Sequence, residues 1–224
     1  MIHRLEITES TMLDAARLAA EGAPHGTAVA AERQTRGIGR HRHSWDSQTH
    51  GLYLSVILRL PTAQPILTMA LGLAVQRAVN DLAFVSADIR WPNDVMLNER
   101  KLAGIMVQAA NEALIAGIGV NVNQPSFPAE IEAIATSLRI ETGLEHDKEA
   151  LLGRVLTEVM RCAALPKQEV LRQFERNSSY PTGKHVEVDG LYRGITAGLD
   201  ENGFLKVATE SGVQTVFAGG VRPI

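Results

Sequence analysis

Residues 90–104 read Arg-Trp-Pro-Asn-Asp-Val-Met-Leu-Asn-Glu-Arg-Lys-Leu-Ala-Gly. They set a carboxylate, Asp94, and an amine, Lys101, on either side of a polar turn at Asn98-Glu99-Arg100. Pro92 fixes its own φ and biases Trp91 towards extended geometry, so the entry is stiff. Val95, Met96 and Leu97 can start a short strand, and Lys101 leads into a buried-strand pattern, Leu-Ala-Gly-Ile-Met-Val-Gln. A hairpin of this kind presents Asp94 and Lys101 from rigid elements. The same residues also suit an ordinary hairpin with a charged turn.

A second segment, residues 31–47, places Gly37 and Gly39 among Arg36, Arg40 and Arg42, with Trp45 just after. Glycines let backbone N–H groups approach an anion, and arginines add charge-assisted bonds to carboxylate or phosphate. Trp45 offers a flat face to a planar ring. A flexible, solvated turn has the same composition. The dinucleotide fingerprint does not fit, because its third glycine would fall at Arg42, and the chain has no P-loop Gly-Lys-Ser/Thr. A third segment, Ala113–Asn123, reads as a central strand, too short to span a membrane. Gly117 and Gly119 inside it suggest that something packs close to the backbone. Asn121 and Asn123 fall on one face by period-2 alternation, either as turn formers or as amides that read the edge of a base.

Together these segments resemble the biotin protein ligases (biotin–acetyl-CoA-carboxylase ligases). The resemblance lies in Gln34-Thr-Arg-Gly-Ile-Gly-Arg with Trp45, Trp91-Pro-Asn-Asp, Arg100-Lys-Leu-Ala-Gly-Ile and Gly117-Ile-Gly-Val-Asn-Val-Asn. Glu9-Ser-Thr-Met resembles the family's Asp-Ser-Thr-Asn element, and Gly219-Gly-Val the end of its small β-domain. The ordered set spans nearly the whole chain. The resemblance implies an enzyme that joins biotin and ATP into biotinyl-5′-AMP and pyrophosphate, then passes biotin to a lysine of a biotin carboxyl carrier protein of acetyl-CoA carboxylase. It implies biotin contacts at Ser10, Thr11, Gln34, Gly37, Gly39, Arg40, Lys101 and Gly104. ATP contacts are implied at Arg40, Trp45, Asn93, Lys101 and Asn121. Lys101, Arg40 and Asp94 are the implied catalytic set, with Asp94 either positioning the metal–nucleotide or serving the incoming lysine. Mg²⁺ arrives with ATP, and no metal is held by the protein alone.

That chemistry suits these residue types. A carboxylate attacking a phosphate brings two anions together, so the protein's task is positioning and charge neutralisation. The chain departs from the family loop, which usually reads Gly-Arg-Gly-Arg-x-Gly-Arg. Ile38 stands for an arginine, Arg42 for a glycine, His43 for an arginine, and Arg90 for the lysine before Trp-Pro-Asn-Asp. The expectation is a working ligase with weaker retention of the adenylate, Arg36 or Arg42 compensating.

The elements that must position these residues follow from pattern. His3–Thr8 reads as a strand, Ser10 as an N-cap, and Thr11–Glu21 as an Ala-rich helix. Thr27–Arg33 and Gly51–Leu60 read as strands around the Gly/Arg loop, and Pro65–Leu82 as a long helix. Strands near Asp88–Trp91, Lys101–Ala109 and Ala113–Val122 follow, then helices over Lys148–Ala164 and Gln168–Arg176. From Lys184 short β-runs are broken by Asp189-Gly190, Asn202-Gly203 and Ser211-Gly212, all hairpin signals. The pattern gives an α+β fold class ending in a small barrel-like β-domain; the family resemblance implies a mixed-sheet catalytic domain of the biotin/lipoate ligase type over 1–180 and a small SH3-like β-barrel domain over 181–224.

Composition bounds the rest. A 224-residue chain with 45% hydrophobic residues can bury a full core. A net charge of −3 argues against nucleic-acid binding driven by bulk charge. One cysteine, Cys162, excludes an internal disulfide and reads as a buried small side chain. No signal peptide or membrane-length apolar run is evident, so the cytoplasm is expected. The chain begins directly at a catalytic strand, which suggests the monofunctional type with no DNA and no membrane partner. His41, His43 and His50 lie close together without a completing Cys or carboxylate. Two copies could pair sheet edge to edge as a homodimer. The alternatives are a lipoate or octanoate protein ligase and a non-catalytic biotin- or nucleotide-binding module.

Overall fold

All seven residues of Leu52–Leu58 (β3) are buried, which requires apolar layers on both faces of its sheet. The computed structural model describes residues 1–39, 44–61, 65–217 and 219–224. Around β3 stand Ile2–Thr8 (β1), Ala28–Gln34 (β2), Asp88–Arg90 (β4), Asp94–Leu97 (β5), Arg100–Ala110 (β6) and Ala113–Val120 (β7). They form one seven-stranded sheet in the order β1-β2-β3-β7-β6-β5-β4. Among these strands only β1 and β2 pair in parallel, linked by the helix Thr11–Ala20 (α1); the other strand pairings described are antiparallel.

Period-2 alternation divides the side chains between two layers. Leu52, Leu54, Val56 and Leu58 face a core built with the helices Ile66–Ala83 (α2), Lys148–Ala163 (α4) and Lys167–Asn177 (α5). Ile57 faces the opposite layer with Val29, Ile115 and the α1 residues Met12, Ala15 and Ala19. A short helix, Leu138–Thr142 (α3), was not foreseen from sequence; it starts at Ser137, whose Oγ accepts the Ile140 N–H at 3.1 Å. Ser10 occupies the N-cap position of α1, but its hydroxyl caps nothing. The Gln34 side chain does that work, its Oε1 accepting the Thr11 N–H at 2.9 Å. No helix among the described residues is long and apolar enough to cross a membrane.

The C-terminal strands Thr182–Val188 (β8), Tyr192–Leu199 (β9), Leu205–Thr209 (β10), Gly212–Val216 (β11) and Val221–Pro223 (β12) form a second, antiparallel sheet in the order β11-β10-β9-β8-β12. The hairpin signals fall where expected, with positive φ at Gly190, Gly203 and Gly212. The expected barrel is not closed: among the described residues the order runs open from β11 to β12.

The segment that leads into the second sheet is tied to β4, the neighbour of the strand that carries Asp94. Ser178 Oγ donates to the Ile89 carbonyl at 2.5 Å, and Ser179 donates twice to the Asp88 carboxylate. The buried Trp91 indole N–H donates to the Gly203 carbonyl at 2.9 Å. Replacing that indole leaves a buried carbonyl without its donor, so Trp91→Phe is expected to cost about 1–3 kcal/mol, read as a shift of the denaturant midpoint.

Candidate active site

One row of residues crosses the large sheet. Strand register sets Ala31 opposite Tyr53, Tyr53 opposite Gly119, Gly119 opposite Gly104, Gly104 opposite Asp94, and Asp94 opposite Arg90. The row is bare at its centre because two glycines face each other there. The Trp45 indole lies on this bare patch: a Cβ at Gly119 would stand 2.5 Å from its Nε1, and one at Gly104 3.0 Å from a ring carbon. In the next row Gly117 is equally close to Met12, whose Sδ would stand 2.7 Å from a Cβ.

Lys101 reaches this face through a defect in pairing. Val95 pairs with Ala103 but Met96 with Lys101, so β6 carries one extra residue. Such a bulge re-aims the side chains beside it. Leu102 and Ala103 both enter the α2-side core, and Lys101 emerges on the face of Gly104. Its Nζ lies 5.3 Å from the Trp45 ring centroid, within cation–π range. It also lies 2.6 Å from Asp94 Oδ1, a close ionic contact rather than an aligned hydrogen bond. Arg90 grips the other carboxylate oxygen at 2.6 Å. Burial pushes the Asp94 carboxyl up, but the charges of Lys101 and Arg90 and their close contacts with it outweigh that and hold the acid below its ordinary range.

A polar network forms the other end. Gln34 Oε1 also accepts from Thr11 Oγ1 at 3.1 Å, its Nε2 donates to Ser47 Oγ at 2.9 Å, and Ser47 Oγ donates to the Trp45 carbonyl at 3.0 Å. Thr11 and Ser55 share a hydroxyl contact at 2.8 Å. Ser10 Oγ and Trp45 Nε1 are buried with no protein partner; buried polar atoms of this kind need a partner, and a ligand can supply one. Gly37 packs against Ser47 and the Trp45 carbonyl, leaving no room for a side chain.

Ser10, Thr11, Gln34, Gly37, Trp45, Asp94, Lys101 and Gly104 are thus linked along one face. Gly39 is half-buried beside them in sequence. Arg40, His41, Arg42 and His43 lie outside the described residues. Ile38 packs against the Met12 layer, and Arg36 pairs with Glu9 at 2.9 Å on the surface. Asn93 donates to the Ile105 carbonyl at 3.2 Å. Asn121 donates to the Thr136 carbonyl at 2.9 Å and more weakly to that of Lys101 at 3.4 Å. Asn123 exchanges two bonds with the His146 backbone. All three amides hold backbone. Sequence reasoning missed Ser47, Ser55 and Tyr53; a lone serine within the apolar run Leu52–Leu58 was the available signal. Tyr53 donates to the Gln48 carbonyl at 2.6 Å, and burial, then the Asp46 charge, raise its pKa. Among the described residues no group of three His, Cys, Asp or Glu gathers as a metal site.

A cavity of about 270 Å³ lies on the other face, between β1–β3 and the start of α4. Ion pairs Arg4–Glu149 and Lys148–Glu32 stand at its wall, and of the row across the sheet and the polar network only Ala31 lines it. The glycine-floored face, with its unpartnered polar atoms and clustered charges, is the better candidate.

Removing the Asp94 charge leaves Arg90 and Lys101 facing each other, so Asp94→Asn is expected to destabilise the fold by on the order of 3 kcal/mol. An acid with a depressed pKa stabilises above its unfolded value and stops doing so as pH falls through the folded one. The stability gap between the native chain and the variant should therefore stay flat around neutrality and narrow only below the ordinary value of 3.8, as followed by urea unfolding across pH.

The family model for the Biotin/lipoate A/B protein ligase family matches residues 4–124. A bifunctional ligase/repressor BirA of Bacillus spizizenii is 31% identical over 97% of this chain and 72% of its own. A biotin–acetyl-CoA-carboxylase ligase of Mycobacterium tuberculosis is 36% identical over 68% of this chain and 60% of its own. Among solved structures, the biotin protein ligase of Aquifex aeolicus in complex with biotin and ATP superposes with a TM-score of 0.89 at 32% identity, covering 100% of this chain and 99% of that one. The Leishmania major enzyme with biotinyl-5-AMP gives 0.71 at 25% identity, over 97% and 98% of the two chains. On the extent of the family match and of the Bacillus relative, this chain belongs to the Biotin/lipoate A/B protein ligase family.

Proposed function

We propose that the chain is an ATP-dependent biotin protein ligase. The observation that carries this reading is the bare Gly104–Gly119 patch under Trp45, with Lys101 at one edge and the Ser10–Thr11–Gln34 polar cluster at the other. That arrangement suits a ligand with a flat polar head, an apolar body and a terminal carboxylate. The ligands of the Aquifex and Leishmania relatives, biotin with ATP and biotinyl-5-AMP, support the same pair of substrates here.

In the first step a biotin carboxylate oxygen bonds to the α-phosphorus and pyrophosphate leaves. Lys101 faces the two anions and offsets their charge, with Arg40 and the ATP-borne Mg²⁺ as further positive charge. In the second step the neutral amine of a carrier lysine attacks the biotinyl carbonyl carbon, AMP leaves, and the amine's proton passes to solvent. Asp94, doubly ion-paired and held ionised, is a poor proton acceptor, and we assign it the anchoring of Lys101. Ser10 and the Gln34 network serve the biotin head, and Trp45 closes over the intermediate. The carrier is a biotin-carrying protein; relatives named for acetyl-CoA carboxylase favour its carrier subunit. The 1–180 and 181–224 segments are read as the catalytic domain and an appended β-domain.

The deciding measurement is pyrophosphate release from Mg-ATP with biotin, lipoate or octanoate, with and without a biotin-carrier domain. Biotin-dependent release with label on the carrier lysine is expected. Turnover only with lipoate or octanoate would overturn the choice of substrate, and biotin binding without release would make the chain a binding module. Lys101→Met should lower adenylation roughly 100- to 1,000-fold, the usual cost of one preorganised donor. Ile38→Arg should slow dissociation of biotinyl-5′-AMP; an unchanged off-rate refutes the weakened-retention reading.

A further inference from the structure

The Lys101 ammonium can only be as well placed as its backbone, which sits at the mouth of a hairpin whose turn residues, Asn98 and Glu99, both have positive φ. That backbone is held from outside the hairpin. The Lys101 N–H donates to the Ile134 carbonyl at 2.7 Å, and its carbonyl accepts from the Thr136 N–H at 3.0 Å. Segment 134–136 thus straps Lys101 by a parallel bridge to Ala135. The strap is pinned in turn from the far side by Asn121, through the Thr136 carbonyl.

One acid ties strap and hairpin together. Glu141, on α3, accepts from Thr136 Oγ1 at 2.5 Å on the strap, and from Asn98 Nδ2 at 2.5 Å and Arg100 at 2.7 Å on the hairpin. Its side chain is 8% exposed. A carboxylate so enclosed is tolerated only when paired and hydrogen-bonded, and once paired it is stiff. Arg100, just before Lys101 in the chain, and Thr136, on the strap beside it, are therefore both held by one carboxylate away from the glycine patch and Trp45.

We propose that Glu141 is a positioning residue for Lys101: it locks the 134–136 strap to the β5–β6 hairpin and so fixes where the ammonium stands over the patch. This rests on the reading of Lys101 as the cation that meets the reacting phosphate. Burial raises the Glu141 pKa, but bonds from Thr136, Asn98 and Arg100 outweigh it and keep the acid ionised.

The test combines a kinetic and a chemical readout on the full chain. Displacing a catalytic group by a fraction of an ångström to an ångström can cost about 10- to 100-fold. Glu141→Gln, and Thr136→Val as the milder variant, should lower kcat for biotin-dependent pyrophosphate release by about that range while KM for biotin stays nearly constant. Separately, acetylation of Lys101 by acetic anhydride, read by peptide mass spectrometry against Lys167 and Lys206, should speed up several-fold in both variants. Unchanged kcat and unchanged Lys101 acetylation overturn the proposal. So does a kcat loss that only follows the loss of folded protein in both variants. If the native chain releases no pyrophosphate, the ligase reading fails, and the acetylation rates alone still decide whether Glu141 sets the position of Lys101.

Discussion

A sheet can receive a flat molecule on its face only where side chains are missing, and side chains are missing from two adjacent central strands only where glycine faces glycine. Gly104 and Gly119 meet this condition by register. Around that gap the remaining features fall into place. Trp45 fills it from above, α1 stops short of it with Met12 on Gly117, and the bulge in β6 turns Lys101 towards it instead of into the core. An extra methyl group on either glycine would meet the indole, so the two positions make room for it by what they lack.

Charge is arranged with the same economy. Burying one acid and two bases is costly unless geometry lets each offset the others. Arg90 and Asp94 are opposite one another across a ladder, and the bulge brings Lys101 to the second oxygen of the same acid. Asp94 therefore carries two cations on one charge, which leaves a net positive edge beside the glycine patch. A group arriving there with negative charge completes a set that the protein leaves one charge short.

Much of this was legible in the sequence. The Asn-Asp…Lys hairpin, the close-packed glycines and the polar residues near the start of α1 were visible as residue types at fixed spacings, because local alternation and turn chemistry act over a few residues. The rest depends on register and long-range contact. The bulge is a one-residue slip in β6 that no period-2 count detects. Glu141 lies 40 residues beyond Lys101 in the chain and on a five-residue helix too short to leave a periodic signal. Ser10 looked like a helix cap because its type and position were right; Gln34, from another strand, took the N–H instead. The small C-terminal sheet read as a barrel because its short strands and Gly turns are those of a barrel, while closure depends on pairing between its first and last edges, which run open here.

The two tryptophans of the chain stand at its two decisive places. Trp45 lies over the glycine patch beside the Lys101 ammonium, with its indole nitrogen lacking a protein partner. Trp91 is buried at the junction with the second sheet and hydrogen-bonded to Gly203. An indole's emission responds to nearby charge and to its hydrogen bonds, so the molecule carries two built-in optical reporters with separate fields of view. One watches the face where ligands would arrive; the other watches the seam that joins the two sheets.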